Sequence, residues 1–558
     1  MSENKNELQK ILDDILEDKN ANLLSKNLKK DVKLLGVTGI LADSSDGNVT
    51  ADDITEGKIA YANNQRIIGT NNNNIGMASL LSGGKFSVIN NIKRIDLSKY
   101  NLSSIINFTS AFENMEQLEY VTPINNGLHS MTYSNMFKNC KKLKSCPLQN
   151  RNNEGASDTN CDSMFEGCES LEEDAICRIA SCSTGWGSHN KKYFGCKSIT
   201  KATFLLSGMH SGLSGGDNNF DSCFANCEKL KDVTMWGIEK SSYGDMNSLF
   251  QNCISLEKVS PFKTNCGIQN FFNNCQSLKS IENWIIGQSG YSGRNYNSVF
   301  TNCISLTGEN VNITFSFACP LNYWFSGCTS LIKIPDGILN STYNHSMTNM
   351  LKGCTSLKNI PVELFARATD MEGMCSGCTG LETIGDISNS TTTSISSTFE
   401  NCSNLTTIGN ISMPKVTMIQ GAFLSDVKLN TVGTLNLPLL QYCQNAFKNC
   451  SSLQQAPTIT STKLYYLQNM FEGCTNLQTV PIYNTSNANN MKNMFKGCNN
   501  LSNESLNNIL QMCINATRIT YAAYKKLSYI GLTQEQAERC QSLSNYEAFI
   551  AAGWVTGY

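Results

Sequence analysis

A phrase of about 24 residues recurs along most of this chain, and it limits the possible folds more than any other feature. One clean copy runs from Asn469 to Pro481: an aromatic at Phe471, a thiol at Cys474, then Leu477, Val480 and Pro481. Taking the aromatic of each copy as its register gives sixteen marks: Phe112, Phe137, Phe165, Phe194, Phe224, Phe250, Phe272, Phe300, Phe325, Leu351, Cys375, Phe399, Phe423, Phe447, Phe471 and Phe495. The last six intervals are 24 residues each, whereas the earlier ones range from 22 to 30. One unit of this size cannot bury its own apolar flank, so neighbours must stack on it and cover it.

Within a unit the apolar residues report local structure. Met491, Met494, Phe495 and Cys498 fall at i, i+3, i+4 and i+7, and Leu467, Met470, Phe471 and Cys474 do the same. That spacing predicts one face of a short helix. Leu357 to Pro361 and Leu381 to Gly385 are short apolar runs closed by Pro or Gly, which predicts a brief strand leaving into a turn. A helical turn plus a strand in about 24 residues matches the period of a leucine-rich repeat.

The pattern Phe-x-x-Cys-x-x-Leu-x-x-Val/Ile-Pro resembles the BspA-like class of bacterial leucine-rich repeat over roughly residues 100 to 505. The resemblance implies an α/β solenoid, each unit a short helix and a short strand. Met115 and Asp426 replace the cysteine, Leu351 and Cys375 replace the aromatic, and Phe194-Gly-Cys196 is one residue short. The expected organisation is an amphipathic helix at 1–24, a small β region at 25–74, the solenoid at 75–502 and a helical cap at 503–558.

Fourteen of the 25 cysteines, from Cys140 to Cys498, occupy the repeat position. An odd total, and a slot that also takes Met115 and Asp426, fit a column of buried reduced thiols better than a disulfide framework. Only Cys375 and Cys378 have Cys-x-x-Cys spacing, and they are the aromatic and thiol slots of one unit, so no metal site is expected. Reduced thiols fit assembly in a reducing cytoplasm. With 44 basic and 46 acidic residues and no basic run, nucleic acid is not an expected partner. No apolar stretch is long enough to span a membrane.

The amino-terminal residues lack the features of a secretory signal peptide. Leu8, Ile11, Leu12, Ile15 and Leu16 predict an amphipathic helix that packs on the following segment or on a second copy, which would make the chain a homo-oligomer. Residues 28–39 and 53–70 carry alternating apolar residues broken by Gly and Asn, which predicts small hairpins, the second turning at Asn63-Asn64. Over residues 25 to 72 these phrases resemble segments of bacteriophage tail and baseplate proteins, a resemblance that makes a trimer one expected form of the homo-oligomer. After Phe495, Asn503 to Asn515, Thr533 to Gln541 and Tyr546 to Ile550 read as helices.

Between Ala180 and Phe325 the units are longest, rich in Gly and Ser, and hold Trp186, Trp236, Trp284 and Trp324. Aromatics beside amides and hydroxyls suit carbohydrate, so Trp186, Tyr193, Trp236, Tyr243, Tyr291 and Tyr296 are the expected ligand-binding residues; Trp324 sits in a core slot. No catalytic residue and no cofactor is expected. His129, His189, His210 and His345 lie in different units, and no phosphate loop, nucleophile elbow or paired-His motif occurs. Asp217, Asp221 and Asp245 could pair for glycoside cleavage if stacking brings them together. The expected function is a virion tail or baseplate component, assembled in the host cytoplasm. It would attach through residues 1–72 and present the stack to a host cell-surface glycan or protein. A bacterial surface adhesin or interaction protein is the alternative, and a polysaccharide depolymerase the third reading.

Overall fold

The computed structural model describes four short strands between residues 33 and 68, then residues 93–95, 108–122, 132–145, 160–172, 175–179, 188–206, 219–236, 245–287 and 294–557. The predicted helix at 1–24 and the Asn run at 71–74 lie outside them. Lys33–Leu34 pairs antiparallel with Val37–Thr38. Ile59–Ala62 pairs antiparallel with Gln65–Ile68, and the predicted turn residues Asn63 and Asn64 lie outside the described residues. The chain divides into two compact units, one of residues 1–268 with 289–294 and one of residues 269–288 with 295–558.

Both units are solenoids, and the same local geometry recurs in every described coil. Sixteen times the backbone enters the left-handed region twice, four residues apart, at pairs such as Asn135 and Asn139, Asn445 and Asn449, or Asn469 and Gly473. The second member is Asn or Gly in every pair except Ser425. These types tolerate positive φ at low cost. Where one coil carries Asn, the next often carries Gly: a Cβ at Gly473 would lie 2.5 Å from Asn449 Oδ1.

This geometry replaces the helical turn expected from the i, i+3, i+4, i+7 spacing. The N–H groups alternate in their use. In the coil marked by Phe447, Cys443, Asn445, Phe447 and Asn449 donate forward to Tyr466, Gln468, Met470 and Glu472 of the next coil, at 2.7–3.1 Å. Between them, Ala446, Lys448 and Cys450 close tight turns onto Cys443, Asn445 and Phe447, at 3.1–3.2 Å. An α-helix would spend all these donors internally and leave the coils unjoined. The alternation satisfies each of these donors and ties the coil to its successor.

The left-handed pairs also correct one register mark. In the fourth unit they fall at Lys191 and Gly195, which centres the coil on Tyr193 and not on Phe194. Tyr193-x-x-Cys196 is then a full-length copy. Tyr193 stacks between Phe165 and Phe224 with centroids 5.4 and 5.1 Å apart. In the unit of residues 1–268 the ring column runs Phe112, Phe137, Phe165, Tyr193, Phe224, Phe250. In the other unit Phe272, Phe300 and Phe325 stack, Leu351 and Cys375 interrupt, and Phe399, Phe423, Phe447, Phe471 and Phe495 continue.

Beside the rings runs the thiol column. Cys140 Sγ donates to Phe112 O at 3.0 Å, Cys227 to Tyr193 O at 3.1 Å and Cys474 to Phe447 O at 3.0 Å. Cys253, Cys303, Cys354 and Cys498 make the same bond. Cysteine suits the slot because it is small and apolar yet can donate to a carbonyl of the preceding coil. The 22 cysteines with described side chains are all free and buried. Burial pushes the Cys328 and Cys498 thiols up to about 12. A thiol so placed presents neither a thiolate nor a path for reagent. Iodoacetamide on the native protein is therefore expected to modify at most the remaining three of 25 cysteines, and all of them in denaturant. Mass spectrometry gives the count; extensive native labelling would contradict the column.

After the thiol, Leu and Ile or Val turn inward and short parallel strands form. Thr383–Ile384, Thr407–Ile408 and Thr431–Val432 make one column, and Ile387–Ser388, Ile411–Ser412 and Leu435–Asn436 a second. Where the units are longer, so are the strands: Ala175–Ile179, Lys201–Leu206 and Asp232–Trp236 pair in parallel, as do Ser280–Ile286 and Val311–Phe315.

Helices close the carboxyl-terminal end. Ser502 caps Asn503–Asn515, which buries Leu506, Ile509, Leu510, Met512 and Cys513. Thr533 and Gln536 form a capping box on Gln534–Cys540. The forward-pointing donors of the last coil, Asn493 and Phe495, go to the carbonyls of Tyr529 and Ile530 at 2.8 and 2.9 Å. Gln536 Nε2 donates to Cys498 O at 2.7 Å. These residues supply the acceptors that a further coil would have supplied.

Candidate binding surface

Three residues before the first left-handed position, six coils place a small polar side chain that caps the turn. Asn160 accepts from Asp162 N at 2.8 Å, Asn219 from Asp221 N at 3.1 Å and Asn295 from Asn297 N at 3.0 Å. Asp370, Ser394 and Asn490 do likewise for Glu372, Ser396 and Lys492. The residue type is set by the turn, since a short oxygen-bearing side chain is what reaches the N–H two residues on.

Three consecutive coils abandon that cap. At the equivalent positions stand Met418, Tyr442 and Tyr466, joined by parallel bridges from Ser394 through Met418, Tyr442 and Tyr466 to Asn490. Met418 is 37% exposed, and both tyrosines are half-buried. The two rings lie 5.8 Å apart and nearly parallel, with Tyr465 edge-on to Tyr466 at 4.6 Å. Two residues further along each coil come Gln420, Gln444 and Gln468. Gln468 accepts from Asn490 Nδ2 at 3.2 Å, whereas Gln444 Oε1 is buried without a donor. Local structure is thus sacrificed at the same column in three successive units, which marks a surface kept for something other than folding.

The strip continues onto the terminal helices. Tyr529 OH donates to Asn490 Oδ1 at 3.2 Å, and its ring stacks on Tyr524 at 4.8 Å. Tyr524 in turn lies 5.3 Å from Tyr521, which is 68% exposed.

The residues expected from sequence to bind ligand lie elsewhere. Trp186, Tyr243 and Tyr291 fall outside the described residues, and of Trp236 only the backbone is described, paired with Leu205. Tyr193 is 2% exposed, with both ring faces covered in the core column, and so offers no face to a ligand. Tyr296 is 4% exposed and packs edge-on against Phe317, its carbonyl accepting from Trp324 Nε1. Residues 418, 442 and 466 were available to sequence reading as one column at the 24-residue period; the signal was the missing Asn, Asp or Ser.

Of the carboxylates considered for catalysis, Asp217 lies outside the described residues. Asp245 pairs with Arg294, and Asp221 accepts from Asn247 N at 2.8 Å. Burial raises Asp221 above the usual carboxylate range, and the backbone N–H of Asn247 offsets part of this. A pair that sequence spacing did not reveal is Ser341 Oγ to His345 Nε2 at 2.9 Å, with His345 Nδ1 2.7 Å from Cys319 O. Burial lowers His345, so the ring is neutral, donating to the carbonyl and accepting from Ser341. Both side chains are enclosed, at 6% and 1% exposure, and the pair pins one coil to the next. His189 is likewise buried, against Phe220. Among the described residues no group of His, Cys, Asp and Glu could hold a metal ion. No described helix is long and apolar enough to cross a membrane.

Stacked short coils with parallel strands, ring and thiol columns and a terminal helical closure define a leucine-rich-repeat solenoid. The family described as BspA type leucine rich repeat region matches residues 214–285, 246–371 and 295–406. The family described as Mycoplasma protein of unknown function, DUF285, matches residues 83–182 and 393–509, the latter containing the Met418–Tyr466 strip. Neither match reaches residues 25–72. No curated protein matches the chain. Among solved structures, a leucine-rich repeat protein from Bacteroides ovatus is 18% identical, covering 79% of this chain and 83% of its own, with a TM-score of 0.34. One from Eubacterium ventriosum is 17% identical over 70% and 85%, with a TM-score of 0.29. A leucine rich cell surface protein from Faecalibacterium prausnitzii is 18% identical over 60% and 87%, with a TM-score of 0.25.

Proposed function

We propose that the protein is a bacterial surface interaction protein, non-enzymatic, that uses its coils as a frame and the Met418–Tyr442–Tyr466 strip as a contact surface. The observation that carries this reading is the loss of the turn cap in three successive coils in favour of an exposed Met and two half-buried Tyr. BspA-type repeats and the Mycoplasma family match support a bacterial protein of this kind.

The test is attachment of beads coated with the full chain to intact bacterial and epithelial cells. The Tyr442→Ala/Tyr466→Ala variant is expected to attach about tenfold less or worse, since aromatic anchors dominate such contacts. Its thermal unfolding should stay within a few degrees of the parent, because both rings are half-exposed. Equal attachment by parent and variant would remove the strip from the account.

The virion-component reading retains one specific observation, that residues resembling phage tail segments form the hairpin Ile59–Ala62 with Gln65–Ile68. Neighbouring genes for a tail sheath or tape measure would favour it; genes for cell-envelope export or anchoring would favour surface display.

A further inference from the structure

We propose that the strip from Met418 to Tyr466 binds an uncharged polysaccharide laid across consecutive coils. This rests on the interaction-protein reading and names the ligand class of its contact surface.

Apart from Gln468, which accepts from Asn490, the exposed polar groups of the strip are uncommitted. The hydroxyls of Tyr442, Tyr465 and Tyr466 and the side-chain amides of Gln420 and Gln441 have no hydrogen-bond partner among the described residues. The contrast with another face of the same coils is sharp. There Asn436 Nδ2 donates to Ser412 Oγ at 3.1 Å and Thr460 Oγ1 to Asn436 Oδ1 at 3.2 Å, so the side chains satisfy one another. Phenols and amides held open beside ring and thioether carbon match a sugar, which offers hydroxyls at its edge and C–H groups on its face.

The charge pattern selects the uncharged class. The strip itself carries no Asp, Glu, Lys or Arg; Lys415 and Lys463 flank it three residues before Met418 and Tyr466, exposed. Lys448, on the far side of the turn, is paired with Glu472 at 3.0 Å. An anionic polymer would find no built-in cationic partner along the strip.

The backbone argues against a peptide. Extended peptides dock by adding to a free strand edge. Here Ile419, Cys443 and Leu467 already donate to Tyr442, Tyr466 and Asn490, so the ladder is closed through the strip. What remains is a set of side chains repeating every coil, at about 4.8 Å per step. A polymer of like units meets like groups at each step.

The experiment is native affinity electrophoresis of the full chain in gels containing laminarin, hydroxyethylcellulose, galactomannan or dextran, with polygalacturonate as the anionic comparison. Retardation is expected in at least one neutral gel, and it should persist when salt is raised. Tyr442→Ala/Tyr466→Ala should weaken it about tenfold or more, as loss of stacking rings does. Gln420→Ala/Gln441→Ala, which removes no internal hydrogen bond, should weaken it severalfold, and this second variant covers the case in which the first fails to fold. Thr479→Ala, in another column, should leave it unchanged. The proposal is overturned if no neutral polymer retards the parent, if both strip variants behave as the parent, or if only polygalacturonate retards it and salt abolishes the effect. Tyr-dependent attachment to cells without glycan binding would sink this inference alone, pointing to a protein partner. Attachment indifferent to the tyrosines would sink the contact surface itself.

Discussion

Replacing Gly531 with alanine is expected to cost about 2–5 kcal/mol and to loosen the helical closure from the last coil. Gly531 ends the helix Leu527–Ile530 with φ near 94°, a conformation that charges any residue with a Cβ about 1–2 kcal/mol. The added Cβ would also lie 2.6 Å from Lys496 N and 2.7 Å from Lys496 Cα. Backbone cannot swing aside as a side-chain end can, so the turn must lift away from the coil it covers. That movement would pull Tyr529 and Ile530 off the donors of Asn493 and Phe495. Gly553→Ala is the control. Its φ is 79°, but its Cβ would meet nothing nearer than Lys525 Nζ at 3.7 Å, so only the conformational cost applies. Denaturant unfolding of both variants, with sedimentation to detect association through an uncovered end, separates the terms. Equal losses would show that the approach to Lys496 does not hold the closure.

Replacing Asp426 with cysteine is expected to stabilise the protein, and more at neutral pH than at pH 4. Asp426 occupies the thiol slot, fully buried. Its Oδ1 accepts from Cys402 N at 2.7 Å, but its Oδ2 has no partner. Burial raises its pKa well above the usual carboxylate range, and Glu400 adds to the shift. The folded chain therefore keeps the proton while the unfolded chain releases it as pH passes about 4. The native state binds more protons, so stability is full below that pH and falls by about 1.4 kcal/mol per pH unit above it, until the carboxyl ionises in the fold. A thiol restores the donor to Phe399 O and removes the orphaned oxygen, worth about 1–3 kcal/mol near pH 4. The gap between variant and parent should then widen toward pH 7. Asp426→Asn, which cannot titrate, should also remove the pH slope. Melting curves at pH 4, 5.5 and 7 decide the matter; a gap that narrows with pH would contradict the assignment.

Much of the architecture was readable because each coil repeats one chemistry. The thiol column, the inward Leu and Ile and the Thr533 cap are local signals, and the structure contains all of them. The turn run escaped because Met491, Met494, Phe495 and Cys498 would share a helix face, yet they also share a side when left-handed residues stand at Asn493 and Gly497. Spacing alone does not separate the two; the Asn-x-x-x-Gly pair does. Phe194 was taken as a mark because phenylalanine fills that slot elsewhere, whereas Tyr193 carries the ring in that coil. The contact strip was hidden by the opposite error: aromatic density drew attention to the irregular units. The informative event was three substitutions at one column of the regular ones, visible only once the turn-capping role of that column is known.

Within the regular coils the forward donors alternate in the same way from one coil to the next, so the leading edge of one regular coil matches the trailing edge of another. A gene of this form can gain or lose whole 24-residue cassettes by unequal recombination, as the uniform spacing from Leu351 to Phe495 shows it to be suited for. Reach could then be tuned by copy number without redesigning a single turn.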